Sequence, residues 1–528
     1  MPARHRRLLA AFLCSLVTLA AVPAPTTAAP SPAPAADPRI VTVYPNPVAD
    51  GDAGEHVVVA PDGVRNLTLS DGEDAVAVPA VDGPVALAAD PDAARNLTDR
   101  RAVVADLALS NGGERLRLRR DGKTVDTLAY GDAPEAERRT RSGWRPLGFD
   151  PRPVRSVAGA NATAFVLPDA PALPVETLRA ADRRLLLAGY TLTSRRVADA
   201  LVAAARRGVT VRVLVEGAPV GGVSRRQAAV LDRLSRNGVA VRVVGGPRAR
   251  FRFHHAKYAV VDDRSLVLTE NWKPSGVGGR DNRGWGVRVA DPAVAANLAD
   301  LFAGDFGAHD ARRWTAVRRN RNFEAVPQAE GSYPSRIDPE RVRPRRVRVL
   351  TAPGNAERAV VGIVDGAERR VDVLQPGLGG LDVPFVRALF RAAGRGVQVR
   401  VLLSGAWYAR EENERLVERL NDRAARRNLP LSARVAEPNG RYGTVHAKGV
   451  IADDTVVVGS LNWNNVSTRE NREVALALDG GGTARYYRQA FQADWQGGAG
   501  LPPAGLALAA ALAVGVAVAF LRRRVRFG

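Results

Sequence analysis

Thiols are almost absent from this chain of 528 residues: the sole cysteine is Cys14. It stands in an apolar stretch, residues 8–22, preceded by Arg4, Arg6 and Arg7 and followed by small residues and prolines. That is the pattern of a removable secretory signal, placed at 1–29. A chain that loses Cys14 with its signal has neither a disulfide nor a thiolate metal site. No other cluster of His, Asp and Glu has metal-ligand spacing, so the sequence calls for no metal and no cofactor. Lysine is scarce too. Of 76 basic side chains only four are lysines: Lys123, Lys257, Lys273 and Lys448.

What the chain has in excess is arginine. The formal charge is +21, and seven of those charges lie at the two ends. A body that remains strongly basic favours anionic partners such as phospholipid head groups, nucleic acid or other phosphates. Residues 504–521 are apolar and uncharged, and Arg522, Arg523, Arg524 and Arg526 follow. A run of about 20 residues spans a bilayer core, and positive flanks stay inside. The expectation is a single-pass protein of the cell membrane: catalytic body extracellular, a transmembrane helix at 504–521, and a short cytoplasmic tail at 522–528.

Residues 23–34 are rich in Pro, Ala, Ser and Thr and read as an unfolded leader. From 37 to 155 short β runs alternate with turn signals, for example 56–60, 103–109, 114–119 and 124–130. Asp121-Gly122 is the expected hairpin turn between the last two. This predicts a small β-sandwich. Tyr44-Pro45-Asn46-Pro47, Gly54-Glu55, the run from Leu107 to Glu114 and the run from Val125 to Tyr130 resemble the lamin-tail-like domain, an immunoglobulin-like sandwich. The resemblance implies a binding or positioning module. Sequons at Asn66, Asn96, Asn161 and Asn465 are candidate glycan acceptors on an exported chain.

The remainder is an internal repeat. Strand, helix and strand are expected at 185–190, 197–205 and 209–215, and again at 371–374, 384–393 and 397–403. Arg207-Gly208-Val209-Thr210-Val211-Arg212-Val213-Leu214 recurs as Arg395-Gly396-Val397-Gln398-Val399-Arg400-Val401-Leu402. Each copy closes on a similar helix, ending at Asp305-Phe306 and Asp494-Trp495. Alternating strands and helices predict α/β units with a largely parallel sheet. The units are bounded at 173–307 and 342–498, joined by an arginine-rich connector at 308–341.

The copies agree best at His255-Ala256-Lys257 and His446-Ala447-Lys448. From each histidine, Lys falls at +2, Asp at +7 (Asp262, Asp453), Asn at +16 (Asn271, Asn462) and Trp at +17 (Trp272, Trp463). With six histidines and four lysines, chance supplies about 0.05 His-x-Lys pairs, so two in register are not incidental. A strand would point His and Lys at i and i+2 to one face. Two such units facing each other surround one anion with two imidazoles and two ammoniums. That suits phosphodiester chemistry: one imidazole attacks phosphorus, the other moves the proton, and lysines and asparagines hold the phosphoryl oxygens. Trp272 and Trp463 read as core, and His254, on the other face of its strand, as packing or surface.

The repeated H-x-K-x4-D followed by Asn resembles the signature of the phospholipase D superfamily, in its two-repeat, single-chain form. The resemblance implies two α/β/α sandwich units around one site, with His255 as nucleophile and His446 as general acid/base. The family's Gly-Ser-x-Asn is kept at Gly459-Ser460-Leu461-Asn462 and altered at Leu268-Thr269-Glu270-Asn271. The family's later carboxylate, which orients a histidine, matches Glu473, 27 residues past His446. The aligned position in the first copy is Gly284, so His255 is expected to lack that partner, with Asp281 as a substitute. The expected function is hydrolysis or transfer of phosphodiesters through a phosphohistidine, with phospholipid the favoured substrate. Two alternatives stand beside it: a membrane-anchored extracellular nuclease, and a non-catalytic surface scaffold.

Overall fold

A computed structural model describes residues 37–95, 97–246 and 249–497. The expected signal, leader, transmembrane segment and tail lie outside the described residues, as does Asn96. Among the described residues, no helix is long and apolar enough to cross a membrane.

Residues 39–146 form two sheets. Arg39–Tyr44, His56–Ala60, Val85–Ala88 and Arg101–Val104 belong to the larger, Leu67–Ser70, Glu114–Arg120 and Lys123–Tyr130 to the smaller. One apolar cluster joins them, with Ile40, Val57 and Leu87 from one sheet and Leu69, Leu116 and Leu128 from the other. Asp121 and Gly122 turn the hairpin at φ 46° and 78°, the positive pair that a two-residue connection between twisted strands requires. The strand expected at 103–109 stops at Val104. Beyond it the Leu109 N–H donates to the Glu55 carboxylate instead of to a ladder.

The repeat is plain in the backbone. The first unit orders its strands Ala240–Val244, Thr210–Glu216, Arg184–Gly189, Tyr258–Val261, Arg264–Leu268, Asn282–Ala290 and Asn161–Leu167. The second orders Leu431–Val435, Gln398–Leu403, Arg370–Gln375, Gly449–Ala452, Thr455–Gly459, Glu473–Asp479 and Arg346–Ala352. In both, the first three strands are parallel and the rest antiparallel. The sheets are therefore mixed, not largely parallel. The reason is the connections. Helices Arg195–Arg206 and Pro384–Gly394 carry the chain across between parallel strands, as parallel pairing demands. The strand after each histidine returns through only two aspartates, which forces an antiparallel pair.

Local signals explain these elements. Ser194 and Ser224 cap their helices, each accepting from an N–H three residues on, which satisfies a donor the helix leaves open. Gly208 and Gly396 end the crossover helices at φ 88° and 91°, a conformation that costs a Cβ-bearing residue about 1 kcal/mol or more. The segment 308–341 is more than a connector. Ala311–Arg313 and Glu340–Val342 add strands to the first sheet. Arg155–Ala158 pairs with Arg346–Ala352 of the second sheet. One apolar cluster runs through both units, from Val260, Trp285 and Phe302 to Ile451, Leu476 and Phe491.

Candidate active site

Each His-x-Lys triplet lies just before its strand, not on it: the ladders begin at Tyr258 and Gly449. The triplets are instead held by the other repeat. The His255 N–H donates to the Arg472 carbonyl at 2.9 Å, and the His446 N–H to the Arg283 carbonyl at 3.0 Å. Asn282 and Arg283 pair in parallel with Thr444 and Val445, and His254 bridges Arg472 in the same sense. Buried arginines lock this exchange. Arg283 meets Asp494 on the last helix of the second repeat at 2.9 Å, and Arg472 meets Asp305 on the last helix of the first at 3.0 Å. These are the two helix-ending aspartates that recur in the sequence.

The imidazole partners are crossed as well. His255 Nδ1 lies 2.9 and 3.0 Å from the two Glu473 oxygens. His446 Nδ1 lies 3.1 Å from Glu270 Oε1. The expectation that His255 lacks a carboxylate is thus overturned: Glu473 serves it from across the interface. Asp281 does not substitute; its carboxylate accepts from the Thr444 hydroxyl. Gly284 is glycine because a Cβ there would collide with the Glu270 side chain. The first repeat therefore carries its carboxylate at 270 instead of 284. The sequence signal was an acidic residue gained inside the altered Leu-Thr-Glu-Asn within the copy that lost one.

An ionised carboxylate only accepts, so each Nδ1 is the donor and each Nε2 keeps its lone pair. Burial holds both imidazoles down to about 4, outweighing the pull of the paired glutamates. Burial would raise Glu473 and Glu270, but the facing histidines and nearby lysines bring both below the usual range. Ser467 donates to Glu473, and Asn282 donates to Glu270 at 2.7 Å. Both lysine ammoniums donate back to their own histidine carbonyls at 2.6 Å. Burial takes Lys257 well below the ordinary lysine range and Lys448 down to about 8. Lys257 and Lys448 feel each other and both glutamates, which places the four charges in one basin.

The remaining expected residues divide. Asn271 is buried, with an unpartnered Oδ1. The Asn462 N–H donates to Ser467. Ser460 is fully buried and bonds both polar groups of the Val474 backbone, fixing the strand end that bears Glu473. Asp262 and Asp453 do not reach the basin. Their carboxylates accept from the backbone N–H groups at 182–184 and 368–370, and their own φ values are 53° and 48°. They clamp a hairpin, a structural and not a catalytic task. Trp272 is core, its Nε1 donating to Ala188, and Trp463 is buried against Phe385. His254 is wholly buried beside Asp305. Unforeseen in the sequence is Tyr190, edge-on to His255 at 5.0 Å, with the Lys257 ammonium 5.4 Å over its ring.

The family described as cardiolipin synthase, PLD-like domain, matches residues 175–306 and 360–495. The chain belongs to this family, within the phospholipase D superfamily, and is a phospholipase D-like phosphodiester-processing enzyme. Among its relatives, cardiolipin synthase B of Salmonella typhimurium is 26% identical over 344 residues, covering 61% of this chain and 76% of that protein. Mitochondrial cardiolipin hydrolase of Xenopus tropicalis is 31% identical over 113 residues, covering 21% of this chain and 49% of that protein. The phosphatidylserine synthase structure from Haemophilus influenzae aligns with a TM-score of 0.47 at 14% identity, covering 65% of this chain and 86% of that one.

Proposed function

We propose that this protein cleaves or transfers phospholipid phosphodiesters through a phosphohistidine on His255. The observation that carries the reading is the crossed pair of neutral imidazoles, each with Nδ1 on a buried carboxylate and Nε2 free, beside two buried ammoniums. His255 Nε2 attacks phosphorus, an N–P bond forms and the P–O ester bond breaks. His446, protonated with the bound substrate, gives its proton to the departing alkoxide. Water or an alcohol then passes its proton to His446, its oxygen bonds phosphorus, and the N–P bond breaks. Lys257, Lys448, Asn271 and Asn462 hold the phosphoryl oxygens, where charge builds.

The division of labour follows the geometry. His255 is braced by both oxygens of Glu473 and its side chain is 12% exposed; His446 has one oxygen and is 21% exposed. The better-fixed ring suits the nucleophile, and the more open one suits exchange with water or alcohol.

Lipid is favoured by the rim. The loops after Gln398–Leu403 and Thr210–Glu216 occupy the same place in each repeat, at the end of a central parallel strand. They expose Trp407 (88%), Tyr408 (64%) and Val220 (80%). The Val220 N–H donates to the Tyr190 hydroxyl, whose ring abuts His255. Aromatic side chains of this kind settle at membrane–water boundaries. The relatives named for cardiolipin point the same way. On this reading the body sits at the outer face of the cell membrane, held by the apolar segment 504–521, and the region 37–155 is a lamin-tail-like positioning module.

The test is to incubate the full chain with vesicles of labelled phosphatidylglycerol or phosphatidylcholine and to trap and map the phosphoenzyme by mass spectrometry. Release of head group or transfer product with label on His255 supports the reading. Cleavage of DNA or RNA with no lipid turnover replaces it with the nuclease, and label on His446 reverses the roles.

A further inference from the structure

Beside the catalytic basin, the first repeat has a cavity of about 370 Å³. That volume is within the range of about 300–1,000 Å³ typical of ligand pockets. Its walls include Thr191, Thr193, Ser224, Gln227 and Lys273. Three of its polar atoms are buried without a hydrogen-bond partner among the described residues: Thr191 Oγ1, Thr193 Oγ1 and Gln227 Nε2. Thr193 and Gln227 are themselves 5% and 1% exposed. Burying a polar group without a partner is costly, so three on one cavity mark a place built for a polar guest. Lys273, one of only four lysines, adds an ammonium. It feels Glu270 and Asp281 through space, but none of the ion pairs among the described residues takes it up.

The second repeat has filled the same place. Leu192 bridges Trp272 as Leu378 bridges Trp463, which matches Thr191, Thr193 and Lys273 with Gly377, Gly379 and Asn464. The Asn413 amide, on the first turn of the following helix, spends both protons on Pro376 and Ser404 carbonyls at 2.8 Å. A Cβ on Gly377 would lie 3.1 Å from Asn413 Oδ1, and one on Gly379 would lie 2.7 Å from Asn464 Cβ. The Asn413 amide is satisfied where the Gln227 amide nitrogen is not.

The cavity adjoins the chemistry. Lys273 is two residues past Asn271, and Val220 in the cavity wall donates to Tyr190, which lies against His255. We propose that this cavity is a subsite for a glycerol phosphate group, the phosphate on Lys273 and the hydroxyls on Thr191, Thr193 and Gln227. It rests on the phospholipid reading only for the source of the group, a lipid head group as opposed to free glycerol phosphate. The donors fit: a compact ammonium for an anion, and hydroxyls and an amide that match an alcohol.

The experiment titrates the full chain with glycerol 3-phosphate by calorimetry. Two sites per chain are expected, one in the basin and one here. Lys273→Met leaves one site, and Thr193→Val, which removes only a hydroxyl, weakens that second site about tenfold with no change in melting temperature. In parallel, KM is measured for phosphatidylglycerol vesicles and for soluble bis(p-nitrophenyl) phosphate. A tenfold rise in KM for the vesicles alone in Lys273→Met assigns the subsite to a lipid head group; an unchanged vesicle KM with the lost titration site assigns it to free glycerol phosphate. An unaltered titration in both variants overturns the subsite. Absence of any lipid turnover refutes the phospholipid reading but leaves the titration to decide the subsite.

Discussion

The two repeats supply the same kind of group from different backbone positions. In the second, the carboxylate is Glu473, at the head of the strand Glu473–Asp479, and it grips His255 with both oxygens. In the first it is Glu270, just past the strand Arg264–Leu268, and it reaches His446 with one. Gly284 occupies the position of Glu473 and clears the room that Glu270 needs. A paired site constrains where a charge must lie, not which residue of the repeat must carry it. The same comparison separates the outer flanks. The 37–155 region reaches the Glu473 side: Glu137 accepts from Arg469, and Arg252 sits between Glu135 and Glu470. Those contacts hold the segment Val466–Glu470, whose Ser467 steadies Glu473.

The comparison is broken most severely by removing the rings. His255→Ala is expected to cost on the order of 10⁶ in kcat, the scale for losing a nucleophile, with no phosphoenzyme in quenched-flow trapping. His446→Ala should cost about 10²–10⁴ and leave a label that turns over slowly. Equal losses and equal labelling in the two variants would return the site to symmetry. Next come the carboxylates, at about 10⁴ or less. Glu473→Gln should slow formation of the phosphoenzyme, and Glu270→Gln its turnover. The reverse pattern in single-turnover kinetics would restore pairing within one repeat.

Gly284→Ala tests the exchange from the backbone side. Its methyl displaces Glu270, so kcat should fall about tenfold or more while the fold loses about 1–3 kcal/mol, the usual scale for overpacking. A melting curve and a kcat measurement read both. The pH profile of kcat/KM sharpens the electrostatic reading. Below about pH 4 His255 takes up a proton and loses its lone pair, and above it the free His446 sheds the proton it must deliver, so kcat/KM peaks near pH 4 and falls on both sides. Above about pH 8 Lys448 gives up its proton and its hold on the phosphodiester, so the rate falls more steeply. A single limb near pH 6.5 would contradict the burial of the rings. The smallest effect is expected at the hairpin clamps: Asp262→Asn or Asp453→Asn should cost about 1–2 kcal/mol of stability and leave kcat within about twofold.

Much of this was legible in the chain. The doubled spacing from His255 to Trp272 and from His446 to Trp463 marked the basin, because two matched copies of scarce lysine cannot be read as solvation. The repeated Arg-Gly-Val phrase marked the crossover helices, since each glycine supplies a left-handed stop. Asp262 and Asp453 show what register alone leaves open. A residue recurs in register whether it touches the reaction or turns a hairpin onto three backbone N–H groups. The sheet type was misread because periodicity identifies strands but not the direction in which a two-residue turn sends the next one.

What the sequence alone determined is the membership: two imidazoles, two ammoniums and two asparagines at fixed spacings, in a repeated α/β frame. Spacing is local, and a motif carries it wherever it folds. What only the tertiary structure decided is the partnership. His255 and Glu473 stand 218 residues apart and His446 and Glu270 176 apart. They meet because strand ends pair across the repeats and buried Arg283 and Arg472 cross with them. No alignment of one repeat on the other contains that, because contact between copies is a property of how they pack.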